Sequence, residues 1–175
     1  LMNMLLFSLP GTPILYYGDE IGMRDNIYLG DRQGVRTPLQ WSAEPNAGFT
    51  SGVPWLPIGE DFARVNVEAE RDQPGSMLTL YRRIIDLRRG EPALEVGRFE
   101  RVEANDLLAY VRRARAGESD FLIVLNLSDR ESRFAVPPGL DGGAVVVSTH
   151  LDREAEPITG RIRIRPNEGI LVRLS

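Results

Sequence analysis

The chain contains no cysteine and a single histidine, His150, among its 175 residues. The first absence excludes a disulfide framework and any thiolate metal site, and the second excludes a histidine metal cluster. A strong charge of one sign is also missing. The balance of 21 basic against 25 acidic residues leaves a formal net charge of −4, and the pairs Arg82-Arg83, Arg88-Arg89 and Arg112-Arg113 are scattered rather than gathered in a stripe. Nucleic acid is therefore not an expected partner. The opening LMNMLLFSLPG is apolar but lacks the basic start of a secretory signal and runs straight into the next apolar segment. It reads instead as the end of a helix over residues 1–9. With no membrane segment expected, a cytoplasmic location fits the absence of cysteine. A hydrophobic content of 42% suffices for a real core in one domain or one and a half.

What is present divides the chain into three stretches. Gly11, Thr12 and Pro13 punctuate the sequence before the apolar run Ile14, Leu15, Tyr16 and Tyr17, which ends in Gly18, Asp19 and Glu20. That pattern suits a parallel strand buried on both faces and ending in acids, as in a closed (β/α)8 barrel, where the carboxyl ends of the strands carry the chemistry. Residues 25–67 are rich in Gly, Pro, Asn and aromatics with no sustained period, so they read as a long ordered loop, too long for an idle connection. Over residues 74–89, Met77, Leu80, Tyr81, Ile84 and Leu87 recur at helical spacing, with Pro74 suited to the first turn and Gly90 to the stop. The double arginines near its end suit the negative pole of the helix.

After Glu91 and Pro92 the pattern changes to seven short strands, over residues 96–102, 107–113, 121–127, 132–136, 144–148, 161–165 and 170–174, separated by turn residues. The fold class expected is α/β plus all-β: the last strand and helix of a (β/α)8 barrel over residues 1–91, then a small antiparallel β-sandwich over residues 92–175.

The segments GTPILYYGDEIGM, VRTPLQW, NAGFTSGVPWLP, VNVEAE, LYRRIIDLRR and STHLDR, in that order, resemble the C-terminal third of the α-amylase superfamily, glycoside hydrolase family 13. The similarity is to its α-glucosidase, oligo-1,6-glucosidase and trehalose-synthase branches, and Leu39 stands where the signature RTPMQW has Met. The resemblance implies a retaining mechanism, in which one carboxylate attacks the anomeric carbon while a carboxylic acid protonates the leaving oxygen. It places those carboxylates upstream of Leu1, so that the chain is a fragment with no catalytic residue and is inactive alone. Hydrolysis of short α-glucosidic oligosaccharides from the non-reducing end is the first expectation, and isomerisation of maltose to trehalose the alternative. No cofactor and no metal are implied.

The resemblance also assigns a role to Arg36, whose matching arginine helps bind the glucose in the cleaved subsite. A guanidinium presents a planar fork of donors suited to sugar hydroxyls beside a carboxylate. Weaker candidates have bland readings. Trp41 and Trp55 read as loop-core anchors, Asp19 and Glu20 as structural acids at the strand end, and Asp31 and Arg32 as an acceptor-side pair or a mutual ion pair. His150 reads as a turn residue, and the sequon at Asn126 receives no role. A different class of function is a carbohydrate-binding sandwich, but Phe99, Tyr110, Phe121 and Phe134 fall in apolar strand patterns and read as core. The partner expected is a small oligosaccharide. Apolar barrel edges are expected to drive self-association of the chain.

Overall fold

The computed structural model describes all 175 residues. They form two compact units, one of residues Ile14–Tyr81 and the other of Leu1–Pro13 with Arg82–Ser175. The helices are α1 (Met2–Ser8), α2 (Val67–Arg71), α3 (Met77–Gly90) and α4 (Pro92–Val96). The strands are β1 (Arg98–Val102), β2 (Leu108–Arg113), β3 (Phe121–Leu125), β4 (Ser132–Ala135), β5 (Gly143–Ser148), β6 (Pro157–Ile158), β7 (Arg161–Ile164) and β8 (Gly169–Arg173).

In the unit Ile14–Tyr81 the chain is held by short turns rather than by strands. Ile21, Val67 and Leu78 form its small core, with Met23 and Leu39 packed against them. The backbone around Gln40 and Trp41 organises the unit, because Gln40 O and Trp41 O accept from Val67 N and Glu68 N, both at 2.9 Å. Asn66 caps α2 by accepting from Ala69 N at 2.8 Å. The start of α3 falls at Met77, not at the expected Pro74, because Ser76 supplies the cap: its Oγ accepts from Thr79 N at 3.1 Å.

The other unit is built on antiparallel pairs. Six strands form one sheet in the order β1-β2-β3-β8-β5-β6, and β4 and β7 form a second. Leu122 and Val124 of β3 and Ile170 and Val172 of β8 face Phe134, Ile162 and Ile164 of the small sheet in one apolar cluster. All five residues of β3 are buried, so it reads as a continuous apolar run. Its second face is closed on the side of α1, where Met4 and Leu125 both crowd Gly169. Phe99 departs from the expected core: it is 42% exposed and lies against the buried Tyr110, with ring centroids 4.9 Å apart.

Two arginines tie α1 to this unit. Arg112, fully buried, donates from Nη1 to Ser8 O at 2.7 Å and from Nη2 to Gly97 O at 3.0 Å. Arg88 donates to Phe7 O, Leu9 O and Gly11 O. Carbonyls at a helix C-terminus lack intrahelical donors and form its negative pole, which is where cations are favoured.

Residues 14–17 correct an expectation. They belong to no strand and lead into a turn at Tyr17, and Ile14 is 84% exposed, with Leu15, Tyr16 and Tyr17 between 42% and 46%. A parallel barrel strand is stabilised by hydrogen bonds to neighbours on both edges and by helices over its faces. The two sheets of this chain contain only β1 to β8, so the run forms no ladder and its apolar surface stays in solvent.

Candidate functional site

Arg36 closes a short 3-10 turn over Gly34–Arg36, held by Arg36 N donating to Gln33 O at 3.0 Å. The following Thr37 and Gln40 are buried, so the backbone is anchored immediately after the guanidinium leaves the surface. Arg36 is exposed and enters no ion pair. Beside it, Tyr17 Oη donates to Thr37 O at 3.0 Å, which ties the strand-end segment to the signature loop. Partial burial and the neighbouring Tyr16 push the Tyr17 hydroxyl above its ordinary value, while the charge of Arg36 pulls the other way. The site thus offers an unspent guanidinium beside a tyrosine ring, a combination that can donate to hydroxyls and contact a sugar face.

The acids at the end of residues 14–17 are engaged locally. Asp19 Oδ2 accepts from Tyr16 N at 3.3 Å, and Glu20 Oε2 from Gly18 N at 2.8 Å. Burial, with the charges of both carboxylates nearby, raises the Tyr81 hydroxyl far above its ordinary range. Asp31 and Arg32 are exposed and form no mutual ion pair. Neither tryptophan is a sealed anchor: Trp41 is 47% and Trp55 79% exposed. His150 lies in an exposed turn.

Asn126, left without a role by sequence reasoning, is fully buried and knits the two sheets. Its Nδ2 donates to Arg130 O, Ile164 O and Arg165 O, and its Oδ1 accepts from Ser128 N and Oγ. That occupation rules out the amide as an accessible glycosylation point in this fold.

Sequence reasoning also missed an open cleft of about 370 Å³ lined by Arg24, Asp25, Tyr28, Thr37, Asp61 and Arg64 among others. Its lining includes Asp61, whose Oδ1 accepts from Gln40 Nε2 at 3.3 Å. Gln40 Nε2 also donates to Val65 O. The signature glutamine therefore positions an acid from a different part of the loop, a pairing that no local spacing announces.

Residues 1–97 match the family model of the alpha-amylase catalytic domain. The chain belongs to the α-amylase family, carrying the C-terminal end of the barrel followed by an antiparallel β domain. It is 45% identical over 150 residues to the trehalose synthase/amylase TreS of Mycobacterium tuberculosis, covering 81% of this chain and 24% of that protein. Against the oligo-1,6-glucosidase of Parageobacillus thermoglucosidasius the identity is 26% over 204 residues, 96% of this chain and 36% of that protein. The isomaltulose synthase of Klebsiella sp. LX3 superposes with a TM-score of 0.87 at 26% identity, over 99% of this chain and 37% of that structure. The chain thus spans about a quarter to about a third of the length of the relatives it matches.

Proposed function

We propose that this chain is the C-terminal portion of a longer α-amylase-family enzyme that rearranges or cleaves the α-glucosidic bond of short oligosaccharides, and that its branch is that of the trehalose synthases. The observation that carries the branch is the 45% identity to a trehalose synthase beside 26% to an oligo-1,6-glucosidase. This reverses the order in which the sequence motifs alone rank hydrolysis and isomerisation. The reaction is a retaining one, with its two carboxyl groups about 5 to 5.5 Å apart and located upstream of Leu1. In that scheme Arg36 binds the terminal hydroxyls of the glucose being transferred. Its exposure and freedom from any ion pair support this reading, since a guanidinium pinned to an acid would have fewer donors left. The 175-residue chain is inactive alone, and the assembled protein acts in the cytoplasm.

The division proposed for the assembled protein lies between residues 91 and 92. Support comes from the strands, which begin at Arg98 just beyond Pro92–Val96.

The test is an anomeric-proton NMR time course of maltose with the longer gene product and, beside it, the 175-residue chain. Trehalose from the former and nothing from the latter is expected. Glucose as the sole product moves the protein to the hydrolases, and turnover by the short chain overturns the placement of the catalytic acids. Arg36→Ala in the longer protein is expected to lower kcat/KM by about a hundredfold, in the range for losing charge-assisted hydrogen bonds to substrate.

A further inference from the structure

The small sheet carries a charge arrangement that its own ladder does not explain. Phe134, Ile162 and Ile164 belong to the apolar core. Strand alternation therefore puts Arg133 and Ala135 of β4, with Arg161 and Arg163 of β7, on the outer face, where all four are exposed. Arg133 stands directly opposite Arg163, and Ala135 opposite Arg161. One step further in the same register, Val136 N donates to Gly160 O at 2.8 Å. Because antiparallel pairs alternate, both of the outer-face pairs are non-hydrogen-bonded, the kind whose side chains come closest. Like charges directly opposite one another destabilise a sheet. Arg163 is answered by Glu131 at 2.5 Å. Arg133 and Arg161 enter no ion pair. The neighbouring acids, Glu131 and Asp106, lie at the start of β4, where Asp106 Oδ1 accepts from Ser132 Oγ at 3.0 Å.

The same alternation directs the N–H and C=O groups of Arg133 and Ala135 away from β7. β7 is the only strand beside β4, and no other backbone group bonds to these four. The outward side of β7 is different. There Arg163 O accepts from Arg153 Nη1 at 2.9 Å, and Arg165 N donates to Glu168 Oε2 at 2.7 Å. One edge of the small sheet is thus capped by side chains, and the other is open. An isolated anion could answer the guanidiniums but has no N–H to offer the open carbonyls, whereas a polypeptide brings donors and acceptors together. Exposed charge on a short edge strand disfavours pairing with ordinary apolar strands, so this edge selects an acidic one.

We propose that the open edge of β4 docks an acidic extended segment of a partner protein, which adds a strand to the small sheet. Its outward carboxylates pair with Arg133 and, across the small side chain of Ala135, with Arg161. The alternate side chains, apolar, lie on the core side beside the partly buried Val136. The docking chemistry does not depend on the enzymatic reading.

The test follows amide chemical shifts of the 175-residue chain titrated with the blocked peptide Glu-Val-Glu-Val-Glu, with its Gln-Val-Gln-Val-Gln counterpart, and with inorganic phosphate at matched ionic strength. Saturable shifts at Arg133, Ala135 and Val136 are expected with the acidic peptide, about tenfold weaker binding with the neutral one, and no saturation with phosphate. Arg133→Gln and Arg161→Gln are each expected to weaken the acidic peptide about threefold, as for exposed ion pairs. Arg115→Gln makes the same charge change in an exposed turn and is expected to leave binding unaltered. Ala135→Pro deletes an N–H that the β4–β7 ladder does not use, and is expected to abolish binding while the amides of β8 keep their shifts. Absence of saturable shifts, equal binding of the neutral peptide, saturation by phosphate, or affinity unchanged in Arg133→Gln and Arg161→Gln would each overturn the proposal. Concentration-dependent shifts at the same amides without peptide would assign the edge to a second copy of the chain and overturn it as well.

Discussion

Every one of the 21 basic residues is an arginine, and a guanidinium keeps its charge throughout the accessible pH range. Burial lowers Arg112, and the nearby Arg88 lowers it further, yet it still holds two buried carbonyls through its Nη atoms. Arg112→Ala leaves both without donors, and a buried unsatisfied group costs about 1 to 3 kcal/mol. The expected loss is roughly 2 to 5 kcal/mol, read as a lower urea midpoint with an unchanged m-value. The acids set the pH response. Hydrogen bonds from Arg165 hold Asp152 down to about 2, aided by the Arg165 charge, by Ser148 and by His150. Burial alone would raise the fully buried Glu168, but hydrogen bonds from Arg165 and the charge of Arg153 overcome it and hold it below its ordinary value. A depressed folded-state pKa contributes stability that is present above the unfolded value of about 4 and is lost as pH falls through the folded one. Thermal denaturation is therefore expected to show a plateau above about pH 5 and a decline between about pH 4 and 2 that Asp152→Asn makes shallower. A slope unchanged by that substitution would contradict the assignment.

At the scale of elements, junctions decide more than interiors. The strand expected from residue 96 begins at Arg98 because Pro92–Val96 first completes a helix. Gly97 allows the changeover: a Cβ there would meet Ala93 O at 2.2 Å and Arg113 O at 2.7 Å. Both obstacles are backbone, so Gly97→Ala forces α4 away from the edge of β2. It is expected to destabilise the β-sheet unit by about 2 kcal/mol or more, whereas the same change at exposed Gly90, where a Cβ meets nothing and φ is not positive, removes no room from any neighbour. Comparing urea midpoints of the two variants checks this. The seven strands legible from alternation and turn residues are all present, whereas β6 is only Pro157 and Ile158 and has too few residues to show a period. The five-residue helices α2 and α4 escape notice for the same reason. Arg36 was legible through its signature, but Arg24 and Asp61 were not, because only the fold of the loop around Gln40 brings them to one cleft.

At the scale of the whole molecule, residues 14–17 belong to no strand and present Ile14, Leu15 and two tyrosines to solvent. An unpaired apolar edge is a template for pairing with another copy. The 175-residue chain is expected to self-associate with rising concentration in light scattering, and Ile14→Lys with Leu15→Lys to suppress it. A strict monomer at all concentrations would sink the idea. Long-range packing also makes the first residues matter to the β domain, since Ser8 Oγ lies 2.8 Å from Tyr110 Oη and Ser8 O holds Arg112. Alternation, turn chemistry and motif order were sufficient by themselves to determine the family and the positions of seven antiparallel strands, because each depends on neighbours in the chain. Only the tertiary structure decided which apolar runs find a partner, which arginines cap α1 and which acid meets Gln40 in the lining of the cleft. Those outcomes depend on groups remote in sequence meeting at hydrogen-bond distance, and no local period encodes that meeting.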